Sequence, residues 1–251
     1  MKPLIVIPAR LAATRLPGKP LARIGNAPMI VHVMRRAQEA NLGEVIVACD
    51  AQEIANAVRE AGGQAILTSP AHPSGSDRIW EAVQIFDSQG AYDIIVNLQG
   101  DVPTLEPRLL HALLEPLADK SVDISTLATV ITRDVEHTNP AVVKAVLSQP
   151  EGAAYATALY FTRATAPSGE GPRYHHIGVY GYRRAALERF VALPPSPLEK
   201  REKLEQLRAL EHGLRIGVAV VDTVPLGVDT PEDLARVRAV FAAAAAGKPS
   251  A

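Results

Sequence analysis

Cysteine is nearly missing from this chain: only Cys49 occurs among its 251 residues. A lone thiol excludes an intramolecular disulfide and any cysteine-based zinc cluster, and it fits a reducing compartment. Cys49 itself closes an apolar run and reads as a small core residue. An excess of charge of one sign is also lacking, since the formal net charge is -1. No overall basic field is available for nucleic acid or an anionic membrane, so any anion-binding charge has to be local. Nor does a long hydrophobic run open the chain: Leu4, Ile5, Val6, Ile7 and Pro8 lead to Arg10, too few residues for a signal core or a membrane span. The expectation is a cytoplasmic protein with no membrane insertion and no nucleic-acid partner. Internal repeats and linker-like segments are absent as well, so 1–251 is expected to form a single domain whose alanine-rich tail, 242–251, frays.

What the chain does have is 47% apolar residues, enough to bury a sizeable core. Short β-branched runs alternate with amphipathic segments, the pattern of parallel strands joined by helical crossovers. Leu4, Ile5, Val6 and Ile7, then Val45, Ile46, Val47 and Ala48, then Ile94, Ile95 and Val96 are apolar without alternation, as strands buried on both faces should be. Ile30, Val33, Met34 and Ala37 recur at helical spacing, and a second helix from about Ala51 ends at the Gly62-Gly63 pair. Strands are expected over 155–161, 177–182 and 216–221, and helices over 197–212 and 230–245. The last of these opens with Asp229-Thr230-Pro231-Glu232-Asp233, where proline suits the first helical position, the acids suit the positive end, and Asp229 or Thr230 provides the cap. The fold class is therefore α/β, with a mostly parallel, Rossmann-like sheet and helices on both faces.

Ligands of open α/β sheets sit at the carboxyl ends of strands, and three such ends carry charge here. The first strand runs into Pro8-Ala9-Arg10-Leu11-Ala12-Ala13-Thr14-Arg15-Leu16-Pro17-Gly18-Lys19, a loop with three cations, a hydroxyl and a glycine that matches neither a Walker motif nor a dinucleotide fingerprint. Its guanidinium forks and backbone N–H groups suit a polyphosphate, although solvated surface charge is the plainer reading of such a loop. A second strand ends in Asn97-Leu98-Gln99-Gly100-Asp101, where the glycine permits close backbone approach and Asp101 is a candidate Mg²⁺ ligand or a simple turn cap. The third acid, Asp229, follows the strand at 216–221 and precedes a helix, so it serves as a cap, as a second metal ligand, or as both.

The segments IPARLAATRLPGKPL, PMIVHV, SGSDR, VNLQGDVP, ALYFTRATAP, HHIGVYGY, PSPLEKREKLEQLR and GVDTPEDL extend over residues 2 to about 240. In order and in approximate spacing they resemble the CMP-Kdo synthetases, the 3-deoxy-manno-octulosonate cytidylyltransferases of lipopolysaccharide assembly. The resemblance implies a nucleotide-diphospho-sugar transferase-like fold, CTP and the acid sugar Kdo as substrates, Mg²⁺ as cofactor, and a homodimer. It further implies a small β-containing subdomain over about 132–193 for sugar binding and dimer contact. On the nucleotide side it implicates Pro8, Ala9, Arg10, Thr14, Arg15, Lys19, Ser74, Gly75, Asp77, Gln99 and Gly100, with Asp101 and Asp229 as metal ligands. On the sugar side it implicates Arg78, Gln99, Arg163, His176, Tyr180, Glu205 and Gln206. His175 and His176 are adjacent on a strand and face opposite sides, which argues against joint chelation and leaves one of them for substrate.

The reaction so implied is in-line displacement at the α-phosphorus of CTP by the anomeric hydroxyl of Kdo. Arg15 and Lys19 stabilise the leaving pyrophosphate, and in the absence of an obvious general base the metal activates the nucleophile. Charge neutralisation is essential, because CTP brings about four negative charges and the sugar adds a carboxylate. Two departures stand out. Members of the family often carry glutamate after Gln-Gly-Asp where this chain has Val102, and the stretch between Pro167 and Arg173 is short. Both bear on the acceptor, so 8-amino-Kdo, a sialic acid or a polyol phosphate are alternative substrates. A non-catalytic nucleotide-binding regulator is the alternative from another class, disfavoured by the presence of Arg15, Lys19, Asp101 and Asp229. A glycosyltransferase would be expected to carry a paired-acid metal motif, which Asp101-Val102-Pro103 is not.

Overall fold

The computed structural model describes residues 1–12 and 15–246. Thr14, expected at the nucleotide, and 247–251 of the expected tail lie outside the described residues. In chain order the elements are β1 (Pro3–Ala9), β2 (Arg23–Ile24), β3 (Ala27–Pro28), α1 (Met29–Glu39), β4 (Glu44–Cys49), α2 (Gln52–Glu60), β5 (Gln64–Leu67) and α3 (Gly75–Phe86). There follow β6 (Ile94–Asn97), α4 (Arg108–Leu114), β7 (Ile124–Val130), α5 (Asp134–Thr138), β8 (Lys144–Ser148), β9 (Ala156–Thr162) and β10 (Tyr174–Arg183). The remainder is α6 (Arg184–Ala192), α7 (Pro197–Glu202), α8 (Gln206–Glu211), β11 (Ile216–Val221) and α9 (Pro231–Ala246), and the whole is a mixed α/β fold. Contacts group the chain into two units, the first within Lys2–Ala91, Asn97–Pro107 and 225–246, the second within Tyr92–Val96 and Arg108–Val224.

In the first unit the strand order is β5-β4-β1, and both pairings are parallel, running from Leu4↔Glu44 to Ala9↔Cys49 and from Ile46↔Gln64 to Cys49↔Leu67. Leu4, Ile5, Val6 and Ile7 are fully buried, as unalternated apolar strands require. Helix α1 turns Ile30, Val33, Met34 and Ala37 inward, and α2 stops where expected, with Gly62 at φ 81. A Cβ on the neighbouring Gly63 would lie 2.1 Å from the Met34 sulfur, so glycine there also serves helix packing. Ile24, Met29, Val228, Leu234 and Val237 form a separate apolar cluster that Leu16, Ala22 and Phe241 join. That cluster anchors the loop after β1 and the start of α9 to one another, which is what positions the charged groups described below.

The second unit orders its strands β6-β10-β7-β11-β9-β8, and β8 also pairs with β10 through Tyr174↔Ala145 and His175↔Lys144. Only β7–β11 is parallel among the pairs of β7 to β11, whereas β7–β10, β8–β9, β9–β11 and β8–β10 run antiparallel. The expected parallel arrangement thus describes the first unit and not the second. The expected helix over 197–212 is likewise two helices, parted at Lys203, whose φ of 56 is left-handed. Arg163 donates from Nε to the Glu202 carbonyl at 3.0 Å and from Nη2 to that of Lys203 at 3.5 Å, so carbonyls left over at the end of α7 are met from outside the helix.

Candidate active site

Strand β1 ends at Ala9, and the chain then turns through Gly18, at φ 66, into a single 3-10 turn at Lys19–Leu21. Pro20 is buried there and Leu16 and Ala22 join the apolar cluster, so Lys19 leaves a fixed backbone rather than a free loop. The strand end at Asn97 brings Leu98 back onto β1, its N–H donating to the Val6 carbonyl at 3.1 Å. A Cβ on Gly100 would stand 2.8 Å from the Pro8 carbonyl oxygen, which makes glycine obligatory if these two segments are to lie this close. The third segment is tied in by the Val228 N–H, which donates to the Asp101 carbonyl at 2.9 Å.

These three segments put two carboxylates on one ammonium. Lys19 Nζ donates to Asp101 Oδ2 at 2.7 Å, to the Val228 carbonyl at 3.0 Å and to Asp229 Oδ1 at 3.1 Å. Arg15 adds an Nη2 contact to the same Asp229 oxygen at 3.1 Å. Burial alone would depress the Lys19 ammonium, but Asp101 and then Asp229 outweigh it and hold its pKa above the ordinary value. Lys19 therefore stays charged and fully committed. Asp229 does not cap α9: Thr230 and Asp233 do so reciprocally, Asp233 accepting from the Thr230 and Asp229 N–H groups while Thr230 Oγ1 accepts from the Asp233 N–H at 3.2 Å. With the cap assigned to Thr230, the Asp229 carboxylate is left for the cluster.

Around the cluster lies a cavity of about 340 Å³ lined by Pro8, Ala9, Arg10, Arg15, Lys19, Ser74, Gly75, Arg78, Gln99, Gly100, Asp101 and Asp229. That size suits a nucleotide-sized ligand. Ser74 caps α3, its Oγ accepting from the Asp77 N–H at 3.2 Å and donating to Asp77 Oδ2 at 2.6 Å, and Ser74 and Gly75 bring the start of α3 to the cavity wall. Gln99 Nε2 donates to Asn97 Oδ1 at 3.0 Å. Arg78, expected toward the sugar, is buried and lines this cavity, donating to Thr68 Oγ1 at 2.7 Å and facing Asp50 at 3.5 Å. Asp50 also accepts from the Leu11 N–H at 2.9 Å and so ties the loop after β1 to Arg78. Sequence reasoning passed over Asp50, although it follows β4 directly and the same rule about strand ends would have found it. It also passed over His72, a lining residue paired with Glu81 on α3, for which the sequence holds no signal.

Arg163, His176, Tyr180, Glu205 and Gln206 belong to the second unit. Arg163 is occupied by backbone carbonyls, including that of Pro140 at 3.0 Å, rather than held out for a ligand. His176 and Tyr180 share one face of β10 with ring centroids 5.6 Å apart, and Phe161 meets His176 edge-on at 4.7 Å. Burial, and to a smaller degree His175, pushes the His176 pKa down to about 3, so its ring is neutral. Burial, then Glu205, raises the Tyr180 phenol far above its ordinary range. Gln206 Nε2 is buried without a hydrogen-bond partner among the described residues. Within this group the His176 ring and the Tyr180 phenol are buried and uncharged, in contrast to the ion pairs around Lys19.

Residues 4–216 match the cytidylyltransferase family model, which sets the class: enzymes that transfer a cytidylyl group. The 3-deoxy-manno-octulosonate cytidylyltransferase of Parvibaculum lavamentivorans is 66% identical over 96% of this chain and 93% of its own length. That of Paramagnetospirillum magneticum is 60% identical over 97% of this chain and 99% of its own length. A solved structure of a CMP:2-keto-3-deoxy-manno-octonic acid synthetase complexed with CTP superposes with a TM-score of 0.90 at 39% identity, covering 97% of this chain and all of that one. A cytidylyltransferase from Leptospira borgpetersenii, 15% identical with a TM-score of 0.59, shares the fold. The chain belongs to the family of 3-deoxy-manno-octulosonate cytidylyltransferases.

Proposed function

We propose that the protein joins CMP from CTP to Kdo, 3-deoxy-D-manno-octulosonate, and releases pyrophosphate. The observation that carries this reading is the convergence of Asp101 and Asp229 on Lys19 inside a cavity that Arg10 and Arg15 also line. A triphosphate needs concentrated positive charge, directed donors and a place for a divalent cation, and these groups supply all of them. The first unit is read as a Rossmann-like nucleotide half, with Pro8, Ala9, Arg10, Arg15, Lys19, Ser74, Gly75, Asp77, Gln99 and Gly100 about the CTP. The second unit, including the subdomain at about 132–193, is read as supplying the sugar contacts His176, Tyr180, Glu205 and Gln206 and the contact of a homodimer. A cytoplasmic location for lipopolysaccharide assembly follows from the same resemblance.

Magnesium fits the residues present. Two carboxylates already share one cation in Lys19, beside a cavity that Arg10 and Arg15 also line. That is the donor set of an ion held by one or two carboxylates and completed by phosphate oxygens and water. Asp101 and Asp229 would hold it, and when bound it supplies charge neutralisation at the phosphates and a lower pKa for a coordinated hydroxyl. The chain's own groups do the rest. Lys19 exchanges its carboxylate partners for phosphate oxygens, Arg15 meets the charge that develops on pyrophosphate, and the α3 N-terminus behind Ser74 orients the nucleotide. On the sugar side the Gln206 donor and the neutral His176 ring orient hydroxyls.

Pyrophosphate release is the test, with CTP and magnesium supplied alongside Kdo, 8-amino-Kdo or a sialic acid, and with the metal chelated in parallel. Release that depends on both Kdo and magnesium is expected. Release only with another acid sugar would move the acceptor and keep the nucleotide site, and no release with any acceptor would leave a nucleotide-binding regulator.

A further inference from the structure

Strands β10 and β7 fall out of register between Ile177↔Leu127 and Tyr180↔Thr126, so that Gly178 and Val179 bulge out between them. Thr126 is fully buried opposite this bulge, and its Oγ1 meets three groups: the Val179 carbonyl at 2.8 Å, the Ile177 carbonyl at 3.2 Å and His176 Nε2 at 3.0 Å. A threonine hydroxyl has one proton to give. Carbonyl oxygens only accept, and at 2.8 Å the Val179 oxygen would face a bare lone pair if that proton pointed elsewhere, a repulsive contact in a buried site. The proton therefore lies toward the bulge carbonyls, and Oγ1 has only lone pairs left for the imidazole. Nε2 must then carry the ring proton, and in a neutral ring Nδ1 presents a lone pair.

We propose that Thr126 is a positioning residue that fixes His176 as the Nε2–H tautomer, so that Nδ1 accepts a hydrogen bond from a hydroxyl of the acceptor sugar. A ring held this way cannot donate to a carboxylate, so it orients the sugar through hydroxyl groups and leaves the carboxylate to other partners. Phe161, packed edge-on at 4.7 Å, keeps the ring in the plane that meets Thr126. Burial holds the imidazole neutral, as the assignment requires. The inference rests on reading His176 as a sugar contact, but the tautomer itself does not.

The two are separated by measuring each alone. In ¹⁵N-labelled protein without ligands, long-range ¹H–¹⁵N correlation should show a pyrrole-type Nε2 and a pyridine-type Nδ1 for His176. Thr126→Val, which keeps shape and removes the hydroxyl, should loosen the tautomer preference, moving the two ring-nitrogen shifts toward each other, and raise KM for Kdo roughly tenfold with kcat within about twofold, the size of one lost hydrogen bond. Thr126→Ser should restore both the spectrum and KM. A pyridine-type Nε2 in the parent protein overturns the proposal, as does a Thr126→Val protein with parental tautomer and KM. If His176→Ala leaves KM for Kdo unchanged while the parent spectrum is as expected, the tautomer stands and the sugar contact falls. The parent spectrum decides the tautomer even where Thr126→Val fails to fold.

Discussion

The two units solve different problems with different materials. In the first, parallel strand ends gather formal charges that pair with one another, Lys19 with Asp101 and Asp229, and Arg15 with Asp229, in a cavity partly open to water. In the second, antiparallel strands bury neutral polar groups, His176 on Thr126 and Tyr180 beside it, with Tyr182 packed at a tilt against Tyr180. Ion pairs of the first kind are exchangeable, since a partly exposed pair contributes little net stability and its members readily take new partners. Buried hydrogen bonds of the second kind are costly to break and hold one geometry. A polyphosphate arriving with a cation needs groups that change partner, whereas discrimination among sugars needs groups that do not.

Removing one charge from the first cluster should have the largest effect. Asp101→Asn is expected to lower kcat by roughly 100- to 1,000-fold and, on the proposed magnesium role of Asp101, to raise the magnesium needed for half-activity, because it removes the charge that is the main partner of Lys19. A magnesium titration of pyrophosphate release checks it, and near-parental turnover at unchanged metal demand would break the comparison. Next in size is Arg163→Ala, which should cost about 1 to 3 kcal/mol in chemical denaturation while leaving KM for CTP unchanged, since Arg163 is spent on the carbonyls of Pro140 and Glu202. A normal midpoint with a raised KM for Kdo would return Arg163 to the substrate.

The pH dependence of stability sharpens the contrast further. His176 is held down to about 3 by burial, while an unfolded histidine titrates near 6.5, so between those values the unfolded chain binds a proton the native chain refuses. The contribution is fully present above about pH 6.5 and is lost as pH falls toward 3. Urea midpoints should decline over that window in the parent protein and decline less in His176→Gln; equal slopes would contradict a buried neutral ring. The smallest effect is expected at the cap of α9, where Thr230→Ala should cost about 1 kcal/mol and leave turnover unaltered, because Thr230 rather than Asp229 carries the capping role.

Much of the first unit was legible because its signals are local. Unalternated runs mark β1 and β4, the Gly62-Gly63 pair marks the end of α2, and charged loops after strands mark the cavity. What local pattern does not carry is the partnering of Lys19 with acids 82 and 210 residues away, which depends on how far the chain folds back. The second unit was less legible for the same reason. Its break at Lys203 has no glycine to announce it, and it is supported by Arg163 from 40 residues earlier. Thr126 stands in a strand of plain composition, and its role exists only because β10 bulges opposite it. Arg163, His176, Tyr180, Glu205 and Gln206 were named through family resemblance, and residue chemistry alone did not single them out.

Binding measured apart from turnover tests the division of labour most directly. CTP with magnesium should be titrated calorimetrically into the parent protein, Lys19→Met and His176→Gln, with KM for Kdo determined on the same preparations. The account predicts that Lys19→Met loses most CTP affinity, while His176→Gln binds CTP as the parent does and shows its defect only in KM for Kdo. A His176→Gln protein that loses CTP affinity as severely as Lys19→Met would contradict it.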